Sequence, residues 1–145
     1  MHGLTLEQSN RIITATLAKG REMGLPPLGV AVLDPGGHLI AMQREDGLTF
    51  LRVRICQAKA YGSLAMGMHS RHLAERYAGG TTQQGFFQAL NGMTGGQVVS
   101  VPGGVLVQDA DGTVLGAVGV SGAASEDDEA CAVAGIEAIG YTVTL

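Results

Sequence analysis

The sequence predicts an α/β domain of the α+β type, in which helices flank a central antiparallel sheet. Two apolar segments that resemble hairpins repeat the spacing Asp-x-x-Gly, at residues 34–37 and 109–112. Apolar residues also recur at helical spacing over residues 5–23 and 50–68. The chain has 145 residues, 46% of them hydrophobic, which is enough to bury one core. We therefore expect a single domain over residues 1–145.

The first part of the chain begins with a predicted helix and a predicted hairpin. Thr5 can cap the helix, and Gln8 three residues later completes a capping box. Two apolar runs, at 30–33 and 38–42, follow on either side of the turn Asp-Pro-Gly-Gly. A glycine supplies the positive φ that tight hairpin turns need, so we expect two antiparallel strands here.

The last part of the chain contains a second hairpin and a final helix. Strands are predicted at 105–107 and 114–120, and the helix starts at Ser125. Acidic residues in its first turn suit the positive end of a helix dipole. Between the two hairpins the spacing predicts a helix over 50–68, a short helix from Ser70 to Tyr77, a weak helical piece at 84–90 and a short strand at 98–101.

The two hairpins repeat each other. Val30 and Val32 precede the first turn at the positions that Val105 and Val107 hold before the second. Related hairpins joined by helices can form one antiparallel sheet with helices on its faces, and we expect that arrangement. The alternative is that Asp-x-x-Gly recurs only because it makes a good turn.

Composition and charge limit the classes of partner. Charged residues make up 15% of the chain, when about 25% is usual. A net charge of −4 argues against nucleic acid, which needs a basic surface. No apolar run approaches the roughly 20 residues of a membrane span, and the start has no signal-peptide pattern. We expect a cytoplasmic protein in which Cys56 and Cys131 are free thiols.

His69 and His72 are the candidate metal ligands. They lie at positions i and i+3, and therefore share one face if both are helical. A zinc site needs further ligands, and the sequence contains no HExxH motif to supply them. The alternative is that both histidines stand at an exposed helix start.

A candidate ligand pocket combines the helix over 50–68 with the Pro-Gly-Gly loop that follows residue 101. Backbone N–H groups of such a loop can bind an anion such as a carboxylate. Arg52 and Lys59 lie two helical turns apart, where they can present positive charge on one side. The alternative is that both point to bulk solvent. The predicted lining is Phe50, Arg52, Lys59, Pro102, Gly103 and Gly104.

Several motifs follow one another in a specific order along nearly all of the chain. They are VAVLDPGGHLIAMQREDG, FLRVRICQAKAYGSLAMGM, SRHLAER, VPGGVLV and DADGTVLGAVGVSGAASEDDEACAVAGIEA. In this order the chain resembles the GlcG/HbpS-like haem-binding family, which is related to the C-terminal domain of PduO-type proteins. The resemblance implies a profilin-like fold, a homo-oligomer and a bound haem or related tetrapyrrole as cofactor.

Two departures from the family pattern concern the candidate site. The string GGVLV lacks the proline that relatives often carry after the two glycines and the valine. His69 stands where many relatives have proline, and it therefore introduces a candidate ligand. Haem needs only one axial ligand from the protein. The candidates that stay open are His69, His72, Tyr77, Met66 and Met68.

Two functions follow as hypotheses. The first is a small-molecule-binding protein for haem or a tetrapyrrole, with a haem-linked redox or degradation role. The alternative is a cofactor-free accessory enzyme, isomerase-like or hydratase-like, that acts on a small carboxylated catabolite. In that enzyme Lys59 or Glu129 would transfer the proton, and residues 102–104 would help to hold the substrate.

The sparse charge predicts that part of the surface is covered by further copies of the chain. Small residues around Gly62, Ala65 and Gly135 give helical faces that another subunit can approach closely. We expect light scattering at micromolar concentration to give a multiple of the 14.9 kDa of one chain. A mass equal to one chain would contradict this prediction.

Overall fold

The computed structural model describes residues 3–145, and Met1 and His2 lie outside the described part. Its helices are α1 (Leu6–Glu22), α2 (Phe50–Met66), α3 (Ser70–Tyr77), α4 (Thr81–Thr94) and α5 (Ser125–Ala138). Its strands are β1 (Gly29–Leu33), β2 (Leu39–Arg44), β3 (Gly104–Gln108) and β4 (Val114–Ser121). The predicted α+β class is confirmed.

The two hairpins form one antiparallel sheet in the order β2-β1-β4-β3. Each hairpin pairs internally, and β1 pairs with β4 across the middle of the sheet. In that central pair Val30 lies opposite Val120, and Val32 lies opposite Val118. The expectation that the repeated hairpins share a sheet is therefore confirmed.

Helices cover both faces of the sheet, because successive side chains of a strand point to opposite sides. On one face α1 and α5 close over the strand valines, in a core that contains Ile12, Ile13, Val30, Val32, Val105, Val107, Val118, Val120 and Ile136. On the other face α2 packs on a smaller core of Leu33, Ala60, Leu106 and Ala117. The sheet thus becomes the middle of three layers.

The turn between β1 and β2 is held by one carboxylate. Oδ1 of Asp34 accepts hydrogen bonds from the backbone N–H groups of Gly36, at 2.9 Å, and His38, at 3.0 Å. Gly37 has a φ of +85°, which side chains disfavour, so glycine is needed there.

The turn between β3 and β4 has the same hydrogen bonds. Oδ1 of Asp109 accepts from the N–H groups of Asp111, at 2.9 Å, and Thr113, at 3.0 Å. Thr113 therefore holds the position that His38 holds in the first turn. Because the same turn forms with threonine, its geometry does not require a histidine.

Local signals predicted the first helix well and the middle of the chain less well. The capping box at Thr5 and Gln8 is present. The segment expected as a weak helix at 84–90 is the longer α4, because Phe87 is buried in a third core with Leu73 and Val98. The predicted strand at 98–101 is wrong: the N–H of Val98 donates to a side chain, Oδ1 of Asn91, at 2.9 Å.

Cys56 and Cys131 are free, as predicted, and the structure buries both. Burial raises the pKa of the Cys56 thiol to about 12 and that of the Cys131 thiol to about 11. Both thiols therefore stay protonated at neutral pH, which makes them poor nucleophiles.

Within residues 3–145, no helix combines the length and the apolar character that crossing a membrane requires.

Backbone lies directly on backbone where α2 crosses the sheet. A Cβ added to Gly119 of β4 would overlap the carbonyl oxygen of Cys56 and would lie 3.0 Å from the nitrogen of Ala60. A Cβ added to Gly104 of β3 would likewise overlap the carbonyl oxygen of Lys59. The sheet approaches the helix this closely because these two positions carry no side chain.

We expect Gly119→Ala to lower the free energy of unfolding by about 1–3 kcal/mol, because the new methyl group forces helix and sheet apart. Gly85→Ala is the matched control: it lies within α4, and an added Cβ there meets nothing within 4 Å. The control should gain about 0.5–1 kcal/mol from helix propensity. Urea unfolding of both variants measures the difference, and equal stability of the two would contradict the close approach.

Candidate functional site

Lys59 is buried in α2, with 2% of its surface exposed. Its Nζ donates to Oδ2 of Asp128 at 3.0 Å and to the carbonyl oxygen of Val120 at 2.9 Å. The other carboxylate oxygen of Asp128 accepts from the N–H of Ala123 at 3.0 Å. Burial raises the pKa of the Asp128 carboxyl, and the Lys59 ammonium opposes that rise. The ion pair joins α2 to the end of β4 and to the first turn of α5.

The Pro-Gly-Gly loop lies against this lysine, so α2 does pack beside the loop as expected. A Cβ added to Gly103 would lie 2.9 Å from Nζ of Lys59. A ligand between the lysine and the loop would need space that these contacts already fill.

The other residues of the predicted pocket differ in how far they are exposed to solvent. Phe50 is 82% exposed at the start of α2. Arg52 is half-buried, and its Nη1 lies 3.5 Å from Oγ of Ser121. Pro102 is also half-buried. Ligand binding by this group stays a prediction, and the charge of Lys59 is already balanced by Asp128.

Glu129 is a buried residue of α5 that faces Arg71 of α3. Its Oε2 lies 3.1 Å from Nε of Arg71, although the angle is not that of a hydrogen bond. Burial raises the pKa of the Glu129 carboxyl, and the positive charge of Arg71 opposes the rise. A raised pKa suits a group that transfers protons, but Arg71 also gives Glu129 a structural role. Proton transfer by Lys59 and Glu129 therefore stays a prediction.

His69 uses both ring nitrogens to bind backbone groups. Nδ1 accepts from the N–H of Leu106 at 3.1 Å, and Nε2 lies 2.8 Å from the carbonyl oxygen of Thr144. Because a carbonyl only accepts, Nε2 carries the proton and the ring is neutral. Burial lowers the pKa of His69 and favours the same form. To bind a metal, His69 would have to give up one of these bonds.

His72 lies on the exposed side of α3. Its Nδ1 is 3.1 Å from Oε2 of Glu75, and 38% of its side chain is exposed. The rings of His69 and His72 lie 6.1 Å apart, so the structure brings the two predicted ligands together. Among residues 3–145, however, no group of three histidine, cysteine or carboxylate side chains is placed to hold a metal ion.

His38 is a residue that the sequence analysis missed. Its side chain is 80% exposed, and Nδ1 lies 3.2 Å from Oδ1 of Asp34. The His38 N–H that donates to Asp34 lowers the pKa of that carboxyl, and Gly36 and the His38 ring add to the effect. The ionised carboxylate only accepts, so Nδ1 carries a proton, and in the neutral imidazole Nε2 then presents a lone pair. The sequence did contain a signal for this pair: the first turn has a histidine four residues after its aspartate, whereas the second turn has a threonine there.

An apolar groove of about 670 Å³ runs beside His38. The start of α1 and the β1–β2 turn form its walls, with Leu4, Leu6, Pro35, Gly36 and Ile40 among the lining residues. Leu6 is 59% exposed although it is hydrophobic. It also lines a neighbouring groove of about 720 Å³ that includes Arg11. The structure thus places the imidazole of His38 at the edge of an exposed apolar surface, and within residues 3–145 its Nε2 makes no hydrogen bond.

The fold defines an α+β domain, and the β1–β2 turn and the start of α1 border an open apolar groove. The sequence model of the family described as "Haem degrading protein HbpS-like" matches residues 4–137. The chain belongs to the HbpS-like family, which confirms the resemblance that the motifs indicated.

Two relatives show how similar the sequences are. GlcG of Escherichia coli K12 is 31% identical over 116 residues, which cover 78% of this chain and 80% of GlcG. An uncharacterised 15.0 kDa protein of Citrobacter freundii, encoded between dhaT and dhaS, is 30% identical over 125 residues, which cover 86% of this chain and 84% of that protein.

Solved structures share the fold. A double mutant of HbpS from Streptomyces reticuli is 28% identical with a TM-score of 0.79, over 97% of this chain and 89% of that chain. The PduOC:heme complex is 22% identical with a TM-score of 0.84, over 99% of both chains. At that identity the second likeness shows the fold alone.

We expect Lys59→Met to lower the free energy of unfolding by about 3–5 kcal/mol at neutral pH, because Asp128 is left buried without its cation. Burial then holds the folded pKa of Asp128 above its unfolded value of about 3.9. The loss should therefore shrink as the pH falls from neutral towards that value, because the carboxyl is then protonated in the folded state, and below it in both states.

Urea unfolding of this variant at pH near 7.5 and near 5 measures the effect. The double variant Lys59→Met/Asp128→Asn removes both charges and should recover part of the loss. A single variant as stable as the wild type would show that the buried pair does not support the fold.

Proposed function

We propose that this protein binds haem or a related tetrapyrrole in the groove beside His38, with Nε2 of His38 as the axial ligand. The observation that carries the proposal is the Asp34–His38 pair at the edge of an exposed apolar groove. Two comparisons support it: the family is described as haem degrading, and a protein with the same fold has been solved as a haem complex.

The residues of the groove fit the chemistry of a tetrapyrrole. The ring offers two large apolar faces, and Leu4, Leu6, Pro35 and Ile40 supply apolar contacts. A ligating histidine usually donates its other ring nitrogen to a carboxylate, which orients the ring and makes it more basic. Asp34 stands in that position, and its own orientation is held by the backbone of the turn.

Glycine makes room for the imidazole. A Cβ added to Gly36 would lie 3.0 Å from both Nδ1 and Cε1 of His38, tighter than ordinary contacts. The ring therefore lies against the backbone of the turn, where its position is restricted. Such restriction lowers the entropic cost of holding the imidazole in place for a ligand.

Arg11 is a candidate partner for a propionate group. It is exposed on α1 and lines the groove that continues from Leu6. A guanidinium binds a carboxylate through two parallel hydrogen bonds. In the proposed complex Leu6, which lines both grooves, would contact the ring, and Arg11 would hold a propionate.

When bound, haem supplies an iron centre that exchanges electrons and binds oxygen. A redox or degradation role belongs to the same proposal. The residues of the chain would hold the ring against an apolar surface, orient the imidazole through Asp34 and balance the negative charge of a propionate through Arg11.

We expect titration of the haem-free protein with haem to shift the Soret band with a stoichiometric end point. His38→Ala should weaken binding and change the spectrum, because the axial nitrogen is lost. Asp34→Asn keeps an oxygen for the turn but removes the negative charge that faces Nδ1 of His38, and should weaken binding by about 10-fold.

His72→Ala is the matched control, since His72 is a partly exposed histidine that is also paired with a carboxylate. It should bind haem like the wild type. Wild-type affinity and spectrum in His38→Ala, with loss in His72→Ala, would move the ligand to the predicted site on α3. The absence of any Soret shift in the wild type would overturn haem binding itself.

A further inference from the structure

A second cavity, of about 190 Å³, lies on the other side of the β1–β2 turn from His38. Between residues 36 and 40, successive residues line first one space and then the other, as side chains of a strand alternate between its two sides. Gly36, His38 and Ile40 line the groove described above, whereas Gly37 and Leu39 line the second cavity. The two spaces are therefore separated by one layer of backbone.

One wall of this cavity is a face of α2. Arg54, Gln57, Ala58 and Tyr61 stand at positions i, i+3, i+4 and i+7, which share one side of a helix. The opposite wall is residues 95–97, which follow α4. None of these residues belongs to the pocket predicted from the sequence, which used Arg52 and Lys59 of the same helix.

Arg54 is the charged residue that lines the cavity. Its guanidinium makes no ion pair or hydrogen bond with the part of the chain from residue 3 to 145, and no carboxylate lines the cavity beside it. A guanidinium without a partner, next to a concave surface, favours a carboxylate, which it binds through two parallel hydrogen bonds.

The two glutamine side chains of the cavity favour a ligand that donates a hydrogen bond. Nε2 of Gln57 donates to the carbonyl oxygen of Val53 at 3.1 Å, and Nε2 of Gln97 donates to that of Thr94 at 2.7 Å. Because a carbonyl oxygen only accepts, each amide must turn its nitrogen towards it. The amide oxygens of Gln57 and Gln97 are then left as acceptors, beside the guanidinium of Arg54, which favours a carboxylate.

We propose that this cavity binds a small carboxylate that also carries a hydroxyl group. The carboxylate lies on Arg54, and the hydroxyl donates to the amide oxygens of Gln57 or Gln97. The ring of Tyr61, against which a Cβ on Gly37 would lie at 3.3 Å, closes one side.

The size of the cavity sets the size of the ligand. A volume of about 190 Å³ equals that of about six water molecules at roughly 30 Å³ each, so an acid of a few carbons fits and a tetrapyrrole does not. The inference does not rest on the proposed haem site, which uses the other side of the turn.

Titration of the ¹⁵N-labelled full chain with sodium lactate tests the proposal. Lactate should shift the backbone amide signals of Gly37, Gly95 and Gly96 in a saturable way. Propionate has the same carboxylate and lacks the hydroxyl, so it should bind about tenfold more weakly. Arg54→Met should weaken lactate binding by about tenfold or more, because a charged hydrogen bond is lost.

Arg44→Met is the matched control, since it removes an exposed arginine from β2 and changes the net charge equally. It should bind lactate like the wild type, and both variants should keep the haem titration of the wild type. Equal binding of propionate and lactate, stronger binding of inorganic phosphate, or unchanged lactate binding in Arg54→Met would each overturn the proposal. A loss of haem binding with lactate binding intact would instead overturn only the haem site.

Discussion

The backbone contact between α2 and the centre of the sheet is the constraint on which the rest of the structure depends. Gly104 and Gly119 have no side chain, so α2 lies directly on β3 and β4. At that distance Lys59 reaches across the end of β4 and pairs with Asp128 at the start of α5. Helices on opposite faces of the sheet are thereby joined by one ion pair, and the Pro-Gly-Gly loop is held against α2.

The same contact determines which face of α2 can meet a ligand. Residues at the positions of Cys56, Lys59 and Ala60 are buried against the sheet. Arg54, Gln57 and Tyr61 are turned towards the β1–β2 hairpin, where space remains. A single helix therefore supplies a structural lysine on one side and polar lining on the other. Successive residues are rotated by about 100° around the helix axis, so residues that are neighbours in the sequence face different surroundings.

The two repeated turns share their structural hydrogen bonds and differ at one position. Each aspartate binds two backbone N–H groups, and each turn has a glycine with positive φ. What differs is the residue at the start of the return strand, His38 in one and Thr113 in the other. Because the turn does not depend on the residue at this position, a ligand-binding side chain can stand there without destabilising the fold. Asp34 accepts the hydrogen bonds of the turn and also lies beside the imidazole.

Local interactions could be predicted from the sequence, and long-range ones could not. The capping box of α1, both hairpins and the start of α5 depend on residues a few positions apart, so their patterns are visible in the chain itself. The partner of Lys59 lies 69 residues away, and the bond from His69 to Thr144 spans 75. Nothing near Lys59 or His69 in the sequence indicates these partners. Only tertiary packing decides that Lys59 forms a buried ion pair, that His69 binds two backbone groups and that the side chain of His38 stays exposed.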